Sequence, residues 1–166
     1  MTELARAGIA QRTSTLADRM IRVLTRRDPV AVRPGTSLAE CLALIQRGGV
    51  GDSVLVIDAD RRLLGVLTER DIFGQLIETG ADMHRPVETM MTTDPKRLTL
   101  DSTVRDAITL METGRYRNVP LVDDAGVVVG IIRQQDVLRY LAETFPEELL
   151  NLPPRPHQRM KEPEGA

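Results

Sequence analysis

Apolar residues recur at helical spacing twice along the chain, first as Leu38, Cys41, Leu42 and Ile45 and again as Val104, Ala107, Ile108 and Met111. A hydroxyl residue with an acid three positions on precedes each set, Ser37 with Glu40 and Thr103 with Asp106. That spacing predicts a reciprocal N-terminal cap on both helices. Gly48 and Gly114 fall where a helix C-terminus takes a left-handed residue. Short continuous apolar runs follow, "VLVI" from Val54 and "PLV" from Pro120, as expected for strands covered on both faces. "DADR" and "DDAG" are turn chemistry and join those runs to "LLGVL" and "VVVGII" as hairpins. A second helical segment closes each half, "IFGQLI" and "VLRYLA", with apolar residues on more than one face. The pattern predicts strand, helix, strand, strand, helix, written twice.

The two halves also align residue by residue. Asp28-Pro29 falls over Asp94-Pro95 and Gly48 over Gly114, an offset of 66 that drops to 65 where Val54 meets Val119. Each half closes on one phrase, "GVLTERDI" from Gly65 to Ile72 and "GIIRQQDV" from Gly130 to Val137. The aspartate is kept in both, as Asp71 and Asp136, whereas Thr68 is replaced by Arg133. A sheet of two or three strands is too small to stand alone, so the repeats are expected to pack on each other.

The element order, a repeat of about 60 residues, "DP" opening the first strand and the closing Gly-aliphatic-aliphatic-Thr-x-x-Asp resemble the CBS domain family. Two such units in tandem look like a CBS pair, or Bateman module, from Val23 to Glu143. "VETMMTTDP", Val87 to Pro95, is similar to the segment by which the family enters a repeat. The implied fold is α+β, two βαββα repeats packed as a pseudo-two-fold pair. The implied division is an N-terminal helical lead-in at 1–22, repeat 1 at 23–80, repeat 2 at 81–143 and a Pro-rich C-terminal tail at 144–166.

Composition narrows the function classes. The chain has 166 residues, is 42% hydrophobic and carries a net charge of −2, so a packed core is expected and a nucleic-acid partner is not. Four aromatics, Phe73, Tyr116, Tyr140 and Phe145, are too few for a base-stacking platform. The single cysteine, Cys41, excludes an internal disulfide framework. The N-terminus lacks a signal-peptide core, and no apolar run approaches the ~20 residues that cross a bilayer. A cytoplasmic protein without a membrane partner is the expectation.

Thr68 and Asp71 carry two readings. A threonine followed three residues later by an acid, at the start of a helix, is an N-capping signature, and carboxylates are favoured near helix N-termini whatever their role. The resemblance implies another role: the matching Asp of CBS pairs accepts from two ribose hydroxyls, and the Thr hydroxyl adds a contact. Vicinal donors on a two-oxygen acceptor make chemical sense, and Arg133 lacks threonine's capping hydroxyl although Asp136 stays. The resemblance further places Asp71 opposite Thr92, Thr93 and "RYRNVP", Arg115 to Pro120, which includes Asn118. Main chain beside Thr93 and Val119 would read an adenine edge, and side chains such as Val119 would cover the base. Arg70, Arg115 and Arg117 offer forked donors to phosphates, although solvated arginines are common.

The mirror site would join Asp136 to "VGDSV", Val50 to Val54, with Thr25 and Arg26. It is the poorer of the two. Arg133 stands at threonine's place, where it would plug the cleft or pair with Asp136, and Asp52 stands where repeat 2 has Arg117. A carboxylate there would repel a phosphate.

The remaining signals are structural. "GGVG" from Gly48 lacks the Gly-Lys-Ser/Thr of a phosphate loop. His84 and His157 form no metal-ligand cluster and supply no catalytic base. Cys41, Met90 and Met91 read as core. "PPRP" in the tail is a potential docking segment or an extended end. No attached enzyme, channel or DNA-binding domain is recognisable, so a regulatory module acting in trans on an unknown protein partner is expected. Its ligand would be an adenine nucleotide (AMP, ADP or ATP), with NAD and S-adenosylmethionine sharing the same adenosine half. A homodimer is expected from the apolar faces of the closing helices. The alternative is a purely structural dimerisation module without a ligand; a small hydrolase lacks a nucleophile–base pair.

Overall fold

The computed structural model describes residues 19–24, 26–48, 52–80, 82–144 and 146. The N-terminal lead-in up to residue 18, Thr25, Gly49 to Gly51, Phe145 and the tail from residue 147, with His157 and "PPRP", lie outside the described residues.

Each repeat builds one layer of sheet under two helices. Repeat 1 contributes β1 (Ala31–Val32), α1 (Leu38–Gly48), β2 (Ser53–Ile57), β3 (Leu63–Thr68) and α2 (Glu69–Thr79). After a 3-10 turn at Val87–Thr89 come β4 (Thr92–Thr93), β5 (Leu98–Thr99), α3 (Val104–Gly114), β6 (Asn118–Val122), β7 (Val128–Arg133) and α4 (Gln134–Thr144). β1 runs parallel to β2 and β5 parallel to β6, while β2–β3 and β6–β7 are antiparallel hairpins. The Asp side chains of the turns fold them. Asp58 Oδ1 accepts from the amides of Asp60 and Arg62 at 2.9 and 2.8 Å, and Asp123 Oδ1 from those of Ala125 and Val127 at 2.9 Å each.

The lead-in to each repeat crosses over to the other. β4 follows repeat 1 in the chain yet extends its sheet, pairing antiparallel to β3 with Gly65 opposite Thr93 and Val66 opposite Thr92. Arg27, 66 positions before Thr93, bridges Ile131 of β7 in the same sense. The backbone upstream is exchanged likewise. Val87 N donates to Thr36 O at 2.8 Å and Leu38 N to Arg85 O at 3.0 Å; Ile21 N donates to Ser102 O at 2.8 Å and Val104 N to Arg19 O at 2.9 Å. The amides of Leu38 and Val104 are among those a helix start leaves unpaired, so the crossing satisfies a need both helices have.

The cores follow the same exchange. Leu38, Cys41, Ile45, Val54, Val56, Leu67 and Ile72 pack with Val87 from the second lead-in. Val104, Ala107, Met111, Val119, Leu121, Ile132 and Val137 pack with Ile21 and Leu24 from the first. Ile21 and Val87 are each 0% exposed, and burying such a side chain stabilises the fold by about 1.5–3 kcal/mol. Leu55, Ile57, Val122, Val128 and Ile131 join the two sheets. Cys41 is a core residue, its thiol pushed up to about 11 by burial. Met90 and Met91 pack against the repeat 1 core.

Two helix ends depart from expectation. The left-handed residue after α3 is Arg115, at φ 53°, and Gly114 is the last helical residue. Gly114 is required for a different reason: the Tyr116 ring occupies the place of its side chain. At α1, the Ser37–Glu40 cap has one limb, Glu40 N donating to Ser37 Oγ at 3.2 Å. Thr103 and Asp106 form both limbs, and the Thr103 amide and hydroxyl hold the Asp106 carboxyl below the usual carboxylate range. Among the described residues, no helix is long and apolar enough to cross a membrane.

Candidate functional site

Asp71 owes its position to the junction of β3 and α2. Thr68, the last residue of β3, is extended and caps the helix: its Oγ1 accepts from Asp71 N at 3.2 Å. In return Asp71 Oδ2 accepts from the Thr68 amide at 3.0 Å and from the Thr68 hydroxyl at 2.7 Å. The capping reading of this pair is therefore realised in full. Both bonds fall on Oδ2, and Oδ1 takes none among the described residues. Asp71 thus caps α2 and still offers an oxygen to the cleft it lines.

That cleft, about 380 Å³, lies between the repeats. Val66 and Thr68 of β3 and Arg70 and Asp71 of α2 line one side, and Thr92 and Lys96 line another from β4 onward. Arg115, Tyr116 and Arg117 between α3 and β6, then Asn118 and Pro120 of β6, line it from repeat 2. The crossing of β4 brings Thr92 here, and Gly65 permits it. A Cβ at Gly65 would lie 2.6 Å from Met91 Sδ and 3.0 Å from Thr92 O.

At the mirror position the aspartate is held by arginines. Arg133 forks onto Asp136, Nε to Oδ2 at 3.0 Å and Nη2 to Oδ1 at 3.3 Å. Arg27 Nε lies 3.6 Å from Oδ1 and is buried with no hydrogen bond. The Asp136 side chain is 0% exposed. Burial raises its pKa, but the Arg133 hydrogen bonds and the Arg133 and Arg27 charges outweigh that and hold the carboxyl below its ordinary value. Thr68 and Thr93 of one half correspond to Arg133 and Arg27 of the other, so the second aspartate is gripped from within. Thr25 lies outside the described residues, and Arg26 packs beside Gly130.

Several predicted residues move. Thr68, Arg70, Asp71, Thr92, Arg115, Arg117 and Asn118 line one cleft together. Thr93 pairs with Gly65 in the sheet and is outside the lining. Val119, expected to cover a base, is 1% exposed and sits in the repeat 2 core. Strand alternation is the reason: Asn118 and Pro120 face the cleft and Val119 and Leu121 face the core. Asp52, expected beside Asp136, lines the Asp71 cleft instead. Its Oδ1 accepts from Asn118 Nδ2 at 2.6 Å and its Oδ2 lies 3.8 Å from Arg117 Nη1. Sequence reasoning missed Val66 and Lys96, whereas Tyr116 lies inside the expected Arg115 to Pro120 stretch. Period-two alternation down β3 would have found Val66 beside Thr68; nothing in the local pattern marked Lys96. Among the described residues no group of acidic, His or Cys side chains could hold a metal ion.

Two crossed βαββα units around a shared cleft define a tandem repeat module. The chain belongs to the CBS domain family, whose model matches residues 21–78 and 87–143. An uncharacterised 17.7 kDa protein of Acidianus ambivalens is 34% identical over 112 residues, 68% of this chain and 66% of that one. The inosine-5'-monophosphate dehydrogenase of Aquifex aeolicus is 31% identical over 117 residues, 68% of this chain but 22% of the enzyme. A solved CBS-domain containing protein of Agrobacterium tumefaciens superposes with a TM-score of 0.66 at 31% identity, covering 74% of this chain and 98% of that one. The structure of CBSX2 in complex with AMP superposes with a TM-score of 0.63 at 26% identity, covering 73% and 93%.

Proposed function

We propose that the Asp71 cleft binds the adenosine half of a nucleotide and that the protein is a cytoplasmic regulatory module which signals occupancy to a protein partner. One observation carries this reading: the capped carboxylate of Asp71 keeps Oδ1 unbonded, in a cleft of about 380 Å³ lined by both repeats. That volume lies within the range of small-ligand sites. The AMP complex of the similar CBSX2 supports it. Ribose hydroxyls donate to Asp71 Oδ1, beside the Thr68 hydroxyl that already donates to Oδ2, while Val66 and Pro120 cover the base. Arg133 and Arg27 already engage the second aspartate, so each chain takes one ligand.

Titration calorimetry with AMP tests this. Binding of one AMP per chain is expected, with Asp71→Ala weakening it at least tenfold, because hydrogen bonds to a charged group are worth about 1.5–3 kcal/mol each. Asp136→Ala leaving AMP affinity intact is part of the same expectation. Equal losses from the two variants would mean two working sites.

A dimerisation module without a ligand is the rival, favoured by Phe73 and Ile77 on α2 and Leu138 on α4, which are 44%, 85% and 58% exposed. Both readings include a homodimer built on those faces, and a clean monomer mass in light scattering would remove the rival and leave the first reading without its dimer. A melting curve unmoved by saturating AMP, ADP, ATP, NAD and S-adenosylmethionine would leave the rival standing alone.

A further inference from the structure

Asp52 is held in the cleft at two points. Its carbonyl accepts from Glu69 N at 2.8 Å, which fixes the residue against the first turn of α2. Its carboxylate is fixed separately, Oδ1 by Asn118 Nδ2 at 2.6 Å, while Oδ2 lies 3.8 Å from Arg117. The side chain is 37% exposed, so the charge is open to a ligand. Around it the side chains of Arg70, Lys96 and Arg115 line the same cleft and make no ion pair or hydrogen bond among the described residues. Asp94, also in the lining, is engaged by Arg97 at 2.7 Å.

Three unpaired cations favour an anionic ligand and repel a sulfonium. Asp52 acts in the opposite sense. It cannot swing away from an incoming phosphate chain without giving up Asn118, so each added phosphate charge meets a carboxylate that stays in place. A repulsive group fixed inside an attractive site is a means of discrimination.

We propose that the cleft takes an adenosyl ligand of the monophosphate class and that Asp52 is the residue that selects against longer polyphosphates. The inference rests on Asp71 as the ribose grip and names the charge of the ligand held there.

The test is titration calorimetry of the full chain in EDTA with adenosine, AMP, ATP and S-adenosylmethionine. The proteins are the wild type, Asp52→Asn and Asp71→Ala. Asparagine matches the shape of aspartate and keeps an oxygen for Asn118, and melting curves verify that the variant folds. The wild type is expected to bind AMP at least tenfold more tightly than ATP or S-adenosylmethionine. Asp52→Asn should raise the ATP-to-AMP affinity ratio about fivefold or more, the scale of one charge pair across a partly solvated cleft. A ratio unmoved by Asp52→Asn, or S-adenosylmethionine bound as tightly as AMP, overturns the proposal while the ribose grip stands. Adenosine that fails to bind the wild type, or binds Asp71→Ala equally well, overturns the ribose grip and this inference with it.

Discussion

Asp71 and Asp136 occupy equivalent places in the two repeats, and the structure assigns them different energetic roles. Asp136→Ala is expected to lower stability by about 2–4 kcal/mol. Breaking a buried ion pair by removing one partner costs about 3–5 kcal/mol, because the other charge is left without compensation. Here Asp136 is 0% exposed and Arg133 13%, but Arg27 is 36% exposed and can regain water, which moderates the loss. Asp71→Ala removes half of an N-terminal cap and should cost only about 0.5–2 kcal/mol. Urea unfolding at neutral pH measures both, read as a shift of midpoint at constant slope. Adding Arg133→Thr to Asp136→Ala should recover part of the loss, because it removes the orphaned guanidinium and restores the residue of repeat 1. Equal destabilisation by Asp71→Ala and Asp136→Ala, or no recovery in the double variant, would refute the argument.

The same clasp sets a pH dependence. The folded Asp136 carboxyl is held below its ordinary value, so its contribution is fully present above the unfolded aspartate pKa of about 3.9 and is lost as pH falls through the lower folded value. The stability gap between the wild type and Asp136→Asn should therefore close only below about pH 4.

Other consequences are independent of the clasp. Gly65→Ala should push β4 off β3, costing about 1–3 kcal/mol in urea unfolding and weakening AMP in calorimetry, since Thr92 would leave the cleft; unchanged binding would detach β4 from the site. Arg61 sits at φ 64° where repeat 2 has Gly126 at φ 78°, so Arg61→Gly should raise stability by about 0.5–1 kcal/mol in the same assay. Cys41, with its thiol near 11 and its side chain in the core, should resist a thiol reagent at pH 8 in the native protein and react at once in urea.

The repeats were readable because their signals are local. Caps such as Thr103 with Asp106, the helical stripes and the Asp58 and Asp123 turns each span a few residues. The crossing of the lead-ins had no local signal and was implied only by the resemblance, which set Thr92 and Thr93 opposite Asp71. Ile21 and Val87 carry no periodicity, and Val87 N pairs with Thr36 O while Ile21 N pairs with Ser102 O, far away in sequence. Only the packed fold shows that neither repeat completes its core alone.

The misplacement of Asp52 has a geometric origin. Asp52 and Arg117 are equivalent positions, 65 residues apart, and both carbonyls serve the same purpose, accepting from Glu69 N and Gln134 N at 2.8 Å each. Equivalent residues beside a two-fold axis approach one another, as the 3.8 Å between their side chains shows. Repeat alignment tells which residues are equivalent but not to which side of the axis a side chain turns. That choice is made by the partner available. Asn118 is present to bond Asp52, whereas on the other side Asp136 is already taken by Arg133, with Arg27 at 3.6 Å. With Asp136 already paired to Arg133, Asp52 stays with Asn118 in the first cleft. The two substitutions that the repeat alignment assigned to one poorer site therefore fall on opposite sides of the axis.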